Sequence, residues 1–201
     1  MSSKAVLFDI GNVFVHWDPR LLYQKLIPES DALDAFLRDV VTLEWHTEHD
    51  RGRPFAEGVR ILSEQHPEHA DLIRAFDERW DETIGDLIHG TIDILERLTD
   101  AGIPCYGLTN FSHEKWPPFC AQNDFTKHFK GVVVSGEEKL VKPDPRIFEV
   151  AISRYGLTPE ATVYIDDRID NVRAAEGQGM LGHHFTAPAH LEADLKVRGY
   201  L

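Results

Sequence analysis

The chain has 201 residues, 42% hydrophobic and 27% charged, with a formal net charge of −13; this is the make-up of a globular protein with one sizeable core, or one core and a modest insert. So acidic a chain suits neither nucleic acid nor an anionic membrane, which both call for a basic surface, and no apolar run approaches the roughly 20 residues that span a bilayer. A small anionic ligand stays open, because a site can be locally positive inside an acidic protein.

Met1-Ser2-Ser3-Lys4 leads directly into Ala5-Val6-Leu7-Phe8, so the start is read as lacking a secretory leader. The two cysteines, Cys105 and Cys120, do not make a disulfide framework and read as reduced packing residues of a cytoplasmic protein. The run at 5–8 predicts a buried strand that stops at Asp9, with Gly11 in the turn beyond it. Residues 18–89 show no convincing strand and read as consecutive helices. Pro19, Pro54 and Pro67 suit first helical turns. Asp31 can cap a helix carrying Leu33, Phe36, Leu37 and Val40. From Thr91 onward helix and strand alternate, with predicted strands at 105–109, 131–135, 162–165 and 183–185. Helices are predicted between them and over 191–197. Alternation of this kind gives an α/β fold, a doubly wound parallel sheet with helices on both faces. The predicted division is a catalytic core of residues 1–15 plus 90–201 and an inserted helical cap over 16–89.

Four of these strands are followed by reactive side chains. Asp9 ends the first, Thr109-Asn110 the second, and Asp166-Asp167 the fourth; Lys142-Pro143-Asp144-Pro145 follows the third after a short loop. In an open parallel sheet the strands' carboxyl ends form the ligand crevice. A carboxylate such as Asp9 beside a glycine can approach a ligand closely and act as a nucleophile, or merely cap the turn. Thr109 and Asn110 can donate to phosphate oxygens, and Lys142 can neutralise phosphate and carboxylate together. Two adjacent acids repel one another unless a cation lies between them, and Mg²⁺ suits carboxylate and carbonyl ligands. Asp9, the Gly11 carbonyl and one of Asp166 and Asp167 are the expected ligands, with Asp170 and Asn171 behind them.

Phe8-Asp9-Ile10-Gly11-Asn12-Val13, Leu108-Thr109-Asn110, Lys142-Pro143-Asp144-Pro145-Arg146-Ile147-Phe148 and Tyr164-Ile165-Asp166-Asp167-Arg168-Ile169-Asp170-Asn171 resemble, in order, the four motifs of the haloacid dehalogenase-like (HAD) hydrolase superfamily. The match covers essentially the whole chain, and the helical stretch resembles the cap that many members insert after the first strand. Within the superfamily the turn and the paired acids are most similar to sugar-phosphate phosphatases of the alpha-glucose-1-phosphate type. The resemblance implies a Mg²⁺-dependent phosphatase of a small phosphorylated metabolite, acting through an aspartyl phosphate. It implies Asp9 and Lys142 as catalytic residues and Ile10, Gly11, Thr109, Asn110 and Lys142 as substrate-binding. Asp9, Gly11, Asp167 and Asp166 would serve the metal, Asp167 more directly than Asp166. It implies nothing about oligomeric state. Gly11 stands where most family phosphatases carry a second aspartate that protonates the leaving group. Glu44, His46, Glu48, His49 and Asp50 in the cap, with His16 and Asp18 at the junction, are the candidates to replace it; Trp45-His46 can line a pocket, or Trp45 can be core. The alternatives are a metal-free 2-haloacid dehalogenase, whose fourth motif carries serine and asparagine instead of two acids, and a weakly catalytic regulator that binds a phosphorylated ligand.

Overall fold

The structure, a computed structural model, describes residues 4–201, so Met1-Ser2-Ser3 and the reading of the start fall outside it. The elements run β1 (Ala5–Phe8), β2 (Val15–Trp17), α1 (Arg20–Tyr23), α2 (Ser30–Asp39), α3 (Leu43–Asp50), α4 (Phe55–Gln65), α5 (Ala70–Glu78), β3 (Ile84–Leu87), α6 (His89–Asp100) and β4 (Cys105–Thr109). They continue with α7 (Trp116–Gln122), β5 (Val132–Val134), α8 (Ser135–Glu138), α9 (Pro145–Tyr155), β6 (Thr162–Asp166), α10 (Ile169–Gly177), β7 (Leu181–His184) and α11 (Pro188–Val197). Five strands form one parallel sheet in the order β5-β4-β1-β6-β7. Both of its faces are covered, which is why its strands read as continuous apolar runs rather than alternating ones. Phe8 and Val163 belong to one buried cluster, Leu7, Leu108, Phe148 and Tyr164 to the other. Phe8 is paired with both Gly107 and Ile165. The next residue, Asp9, donates its amide to the Ile165 carbonyl at 2.8 Å. Register therefore delivers Asp9, Thr109 and Asp166 to one edge of the sheet.

The helical insert departs from expectation at its root. Val15–Trp17 and Ile84–Leu87 pair as a two-stranded antiparallel ribbon. The segment at 84–87 contains Gly85 and Asp86, residues with little strand preference, and its partner lies far away in sequence, so local pattern does not reveal it. The lysine loop also differs: a short helix, α8, stands between β5 and Lys142.

Inside the insert, Tyr23, Phe36, Trp45, Phe55 and Phe76 pack edge to face and in stacks. Their cluster continues without a break into the sheet face that carries Phe8 and Phe14. Polar contacts add a clamp. Glu114, in the loop after β4, accepts from the amide of Phe55 at 2.7 Å and so caps α4. Lys115 donates to the Asp77 carbonyl and carboxylate at 2.9 and 2.6 Å. Ser135, the first residue of α8, donates to the Asp50 carbonyl at 2.6 Å and accepts from the Phe111 amide at 2.9 Å. The end of α3 is thus pinned to the sheet edge.

Gly136 lets these segments approach. A Cβ there would lie 2.5 Å from the His113 amide nitrogen and 2.9 Å from the Phe111 carbonyl oxygen, both backbone atoms that cannot swing away. Gly136→Ala is expected to destabilise the fold by about 1–3 kcal/mol, read as a lower urea midpoint at an unchanged slope. An unaltered midpoint would show that the approach is not tight.

Candidate active site

Asp9, Asp166 and Asp167 each place a carboxylate oxygen within 4.8 Å of the other two. They come from the ends of β1 and β6, adjacent strands, so the sheet itself brings them together. Lys142 reaches them from the loop between α8 and α9, with its ammonium 2.8 Å from Asp9 Oδ1 and 2.8 Å from Asp166 Oδ2. The lysine is 3% exposed and Asp166 is fully buried. A buried ammonium loses stability by desolvation, yet here its two acid partners hold its pKa above the usual lysine value.

The paired acids have different surroundings. Asp166 accepts from Lys142, from the Tyr164 hydroxyl, from the Arg168 amide at 2.8 Å and from Asn171 at 3.0 Å. Burial works against its charge, but Lys142 and these donors hold its pKa below the ordinary carboxylate value. It is a structural anion with its oxygens committed. Asp167 is only half-buried and lines the cavity described below. Burial, then the neighbouring Asp166 charge, raise its pKa, against Lys142 and a hydrogen bond from Asn12. Asp9 is raised well above the usual range by burial and by Asp166, with Lys142 opposing. Three carboxylates around one lysine leave an excess of negative charge in a desolvated place. A hard divalent cation would cancel that excess, and its oxygen donors are the right type, so the residues present fit Mg²⁺.

The other expected residues divide. Gly11 lines the cavity, as does Asn110. The Asn110 side chain, however, is engaged with the backbone of Lys142, accepting from its amide at 2.8 Å and donating to its carbonyl at 3.1 Å. That amide therefore fixes the lysine loop to β4. Thr109 is 1% exposed and is not among the lining residues. Ile10 packs its side chain fully into the core, and its amide donates to Asp9 Oδ1 at 2.7 Å. Asn171 stands behind Asp166 as expected, whereas Asp170 is exposed.

These groups open onto a cavity of about 440 Å³ between sheet edge and insert. Of the cap candidates, His46 and Asp50 line it. Glu44 is exposed, Glu48 pairs with Arg51 and Arg53, and His49 is buried against Phe55. His16 and Asp18 are exposed, and Trp45 is core, its indole donating to the Gly58 carbonyl at 3.3 Å. Several lining residues escaped the sequence reading: Val15, Trp17, Leu43, Trp80, Ile84 and Phe111. Aromatic and aliphatic side chains of this kind carry no mark that separates a cavity wall from a core. Asn12 was legible in principle, as a polar residue beside the turn glycine. It adopts φ 55° and accepts from the Trp17 amide at 3.0 Å.

Comparison with known proteins agrees with this arrangement. A family model described as haloacid dehalogenase-like hydrolase matches residues 3–179. A glyceraldehyde 3-phosphate phosphatase of Pyrococcus furiosus is 30% identical, over 98% of this chain and 86% of its own. A sesquiterpene phosphatase of Aspergillus oryzae is 24% identical, over 91% and 90%. A HAD family enzyme of Bacteroides thetaiotaomicron, solved with magnesium and inorganic phosphate, superposes with a TM-score of 0.70 at 23% identity, covering 92% and 96%.

Removing the lysine charge isolates two buried acids. Lys142→Met is expected to lower stability by about 3–5 kcal/mol in the absence of divalent cation, measured by denaturant unfolding at neutral pH. A loss below about 1 kcal/mol would mean that the pairs behave like surface ones.

Proposed function

The chain belongs to the haloacid dehalogenase-like hydrolase family, and from that premise we propose that it is a magnesium-dependent phosphatase of a small phosphomonoester. The observation that carries this reading is the cluster of three carboxylates, two of them paired with Lys142, on the wall of a cavity. The phosphatase names of its relatives support it.

Asp9 attacks the phosphorus in line. A bond forms between its carboxylate oxygen and phosphorus while the ester oxygen leaves, giving an aspartyl phosphate that water then hydrolyses. The main obstacle is repulsion between two anions, Asp9 and the phosphate. Lys142 offsets part of it from a fixed position, since Asp166 and Asn110 hold the ammonium and its loop in place before substrate arrives. Asp9, Asp167 and the Gly11 carbonyl are the groups to hold Mg²⁺, with Asp166 behind them; once bound, the ion supplies positive charge to the phosphoryl oxygens. A 2-haloacid dehalogenase is disfavoured, because a metal-free site would confront a carboxylate substrate with three carboxylates of its own.

Sugar phosphates are the class that the family resemblance implies. A second reading is favoured by the cavity wall. Val15, Trp17, Leu43, Trp80, Ile84 and Phe111 give it a large apolar share, and the Asn12 and Asn110 side chains already have protein partners, although His46 Nδ1, Trp80 Nε1 and Asn171 Oδ1 do not. An unsatisfied hydroxyl costs free energy in such a place, so an apolar leaving group fits better, of the terpenyl kind named for the Aspergillus relative.

Phosphate release from a panel of sugar phosphates, phosphoglycolate and a terpenyl phosphate, with and without chelator, tests the reading. Turnover that chelator abolishes is expected. Chloride release from chloropropionate, indifferent to chelator, would overturn it. Asp9→Asn should abolish turnover with the fold retained by circular dichroism. Asp167→Asn should raise the magnesium needed for half-maximal rate more than Asp166→Asn does, and the opposite order would exchange their roles.

A further inference from the structure

An alkoxide is a poor leaving group and needs a proton as its bond to phosphorus breaks. Few groups on the cavity wall can carry one. Asp9 is the attacking group, Lys142 is fixed between two acids, Asp167 faces the metal position, and an arginine such as Arg168 keeps its protons. His46 and Asp50 remain, both on α3 and both beyond the ring of acids.

We propose, resting on the phosphatase reading, that Asp50 is the general acid that protonates the leaving oxygen, and that His46 positions it. Three observations support the assignment. Asp50 is 6% exposed, yet it lines the same cavity as Asp9. Its backbone is fixed to the sheet edge: Ser135 donates to its carbonyl at 2.6 Å, and a Cβ on the nearby Gly52 would lie 2.8 Å from the Gly136 carbonyl oxygen. The backbone that carries this carboxyl is therefore tied to the sheet edge although it belongs to α3. Finally, His46 Nε2 lies 3.4 Å from Asp50 Oδ2, and the His46 ring is itself held by stacking on Trp17 at 4.7 Å and by an edge contact with Phe76.

The protonation states agree. Burial pushes Asp50 up to about 8, against the pull of Lys142. Burial also brings His46 down to about 4. At neutral pH the pair is a neutral carboxyl beside a neutral imidazole. His46 Nε2 lies 3.4 Å from Oδ2 without a hydrogen bond, so it fixes the carboxyl by contact and leaves its proton for the substrate, while His46 Nδ1 has no partner within the protein. In the forward step the Asp9 oxygen bonds to phosphorus, the ester O–P bond breaks, and the Asp50 proton passes to the departing oxygen. In the second step the Asp50 carboxylate takes a proton from the attacking water, restoring the acid as Asp9 is released.

Leaving-group dependence tests this. Nitrophenolate departs without a proton, so Asp50→Asn should leave the pre-steady-state burst from 4-nitrophenyl phosphate within about threefold of wild type, while turnover of an unactivated phosphate such as 2-phenylethyl phosphate falls about 10²–10⁴-fold. His46→Gln should lower turnover of the alkyl ester with little change in KM and in the burst. An equal fall for both substrates in Asp50→Asn, or no fall for the alkyl ester, overturns the proposal. Should Asp50→Asn fail to fold, Asp50→Ser is read the same way. The wild type serves as a further check: across aryl phosphates of rising leaving-group pKa its kcat/KM should stay nearly flat, and a steep decline overturns the proposal. A wild type that releases phosphate from none of these esters overturns the phosphatase reading itself, and this proposal with it.

Discussion

The site depends on one buried cation. Lys142 bridges Asp9 and Asp166 at 2.8 Å to each, and without it the ends of β1 and β6 would bring uncompensated acids into a desolvated crevice. Its own burial is tolerable only because those acids are there. Neither side of the pairing is stable alone, so the sheet edge and the lysine loop must form together. Asn110 then ties that loop to β4, and Tyr164 and Asn171 hold Asp166 in place. The result is a fixed electrostatic frame around Asp9, the proposed nucleophile.

The insert completes the frame from above. Its aromatic core runs into the sheet face, and its contacts with the loops after β4 and β5 involve Glu114, Lys115 and Ser135. Those same loops flank Asn110 and Lys142. Cavity wall and the ring of acids are therefore held by a shared set of backbone segments, with the end of α3 bonded to Ser135.

Much of the fold was legible because the signals are local. Apolar runs such as Ala5–Phe8 and Thr162 to Ile165 end abruptly at acids, and a strand buried on both faces has no other pattern. The acids were legible because each ends a buried apolar run, while Lys142, beyond α8, was legible only through the family resemblance. Pairing between Val15–Trp17 and Ile84–Leu87 was not, since three or four residues containing a glycine carry no strand signal of their own. Asn110 was read as a phosphate donor, and its side chain turns out to brace Lys142, a contact between positions 32 apart that no spacing rule announces. The choice of Asp50 over Glu44, Glu48 or His49 rests on which of them faces the cavity, and the backbone at Asp50 is held by Ser135, 85 residues away. Trp17, Trp80 and Phe111 drew no reading, because a cavity wall and a core use the same side chains.

The central claim is that Asp9 forms a covalent bond to phosphorus. Wild-type protein mixed with 4-nitrophenyl phosphate and magnesium, quenched in acid within the first turnover and digested for mass spectrometry, measures it directly. The account predicts a phosphoryl group on the peptide that contains Asp9, appearing with the nitrophenolate burst and decaying as phosphate is released. Nitrophenolate release with no phosphorylated peptide, or with the group on another residue, would contradict it.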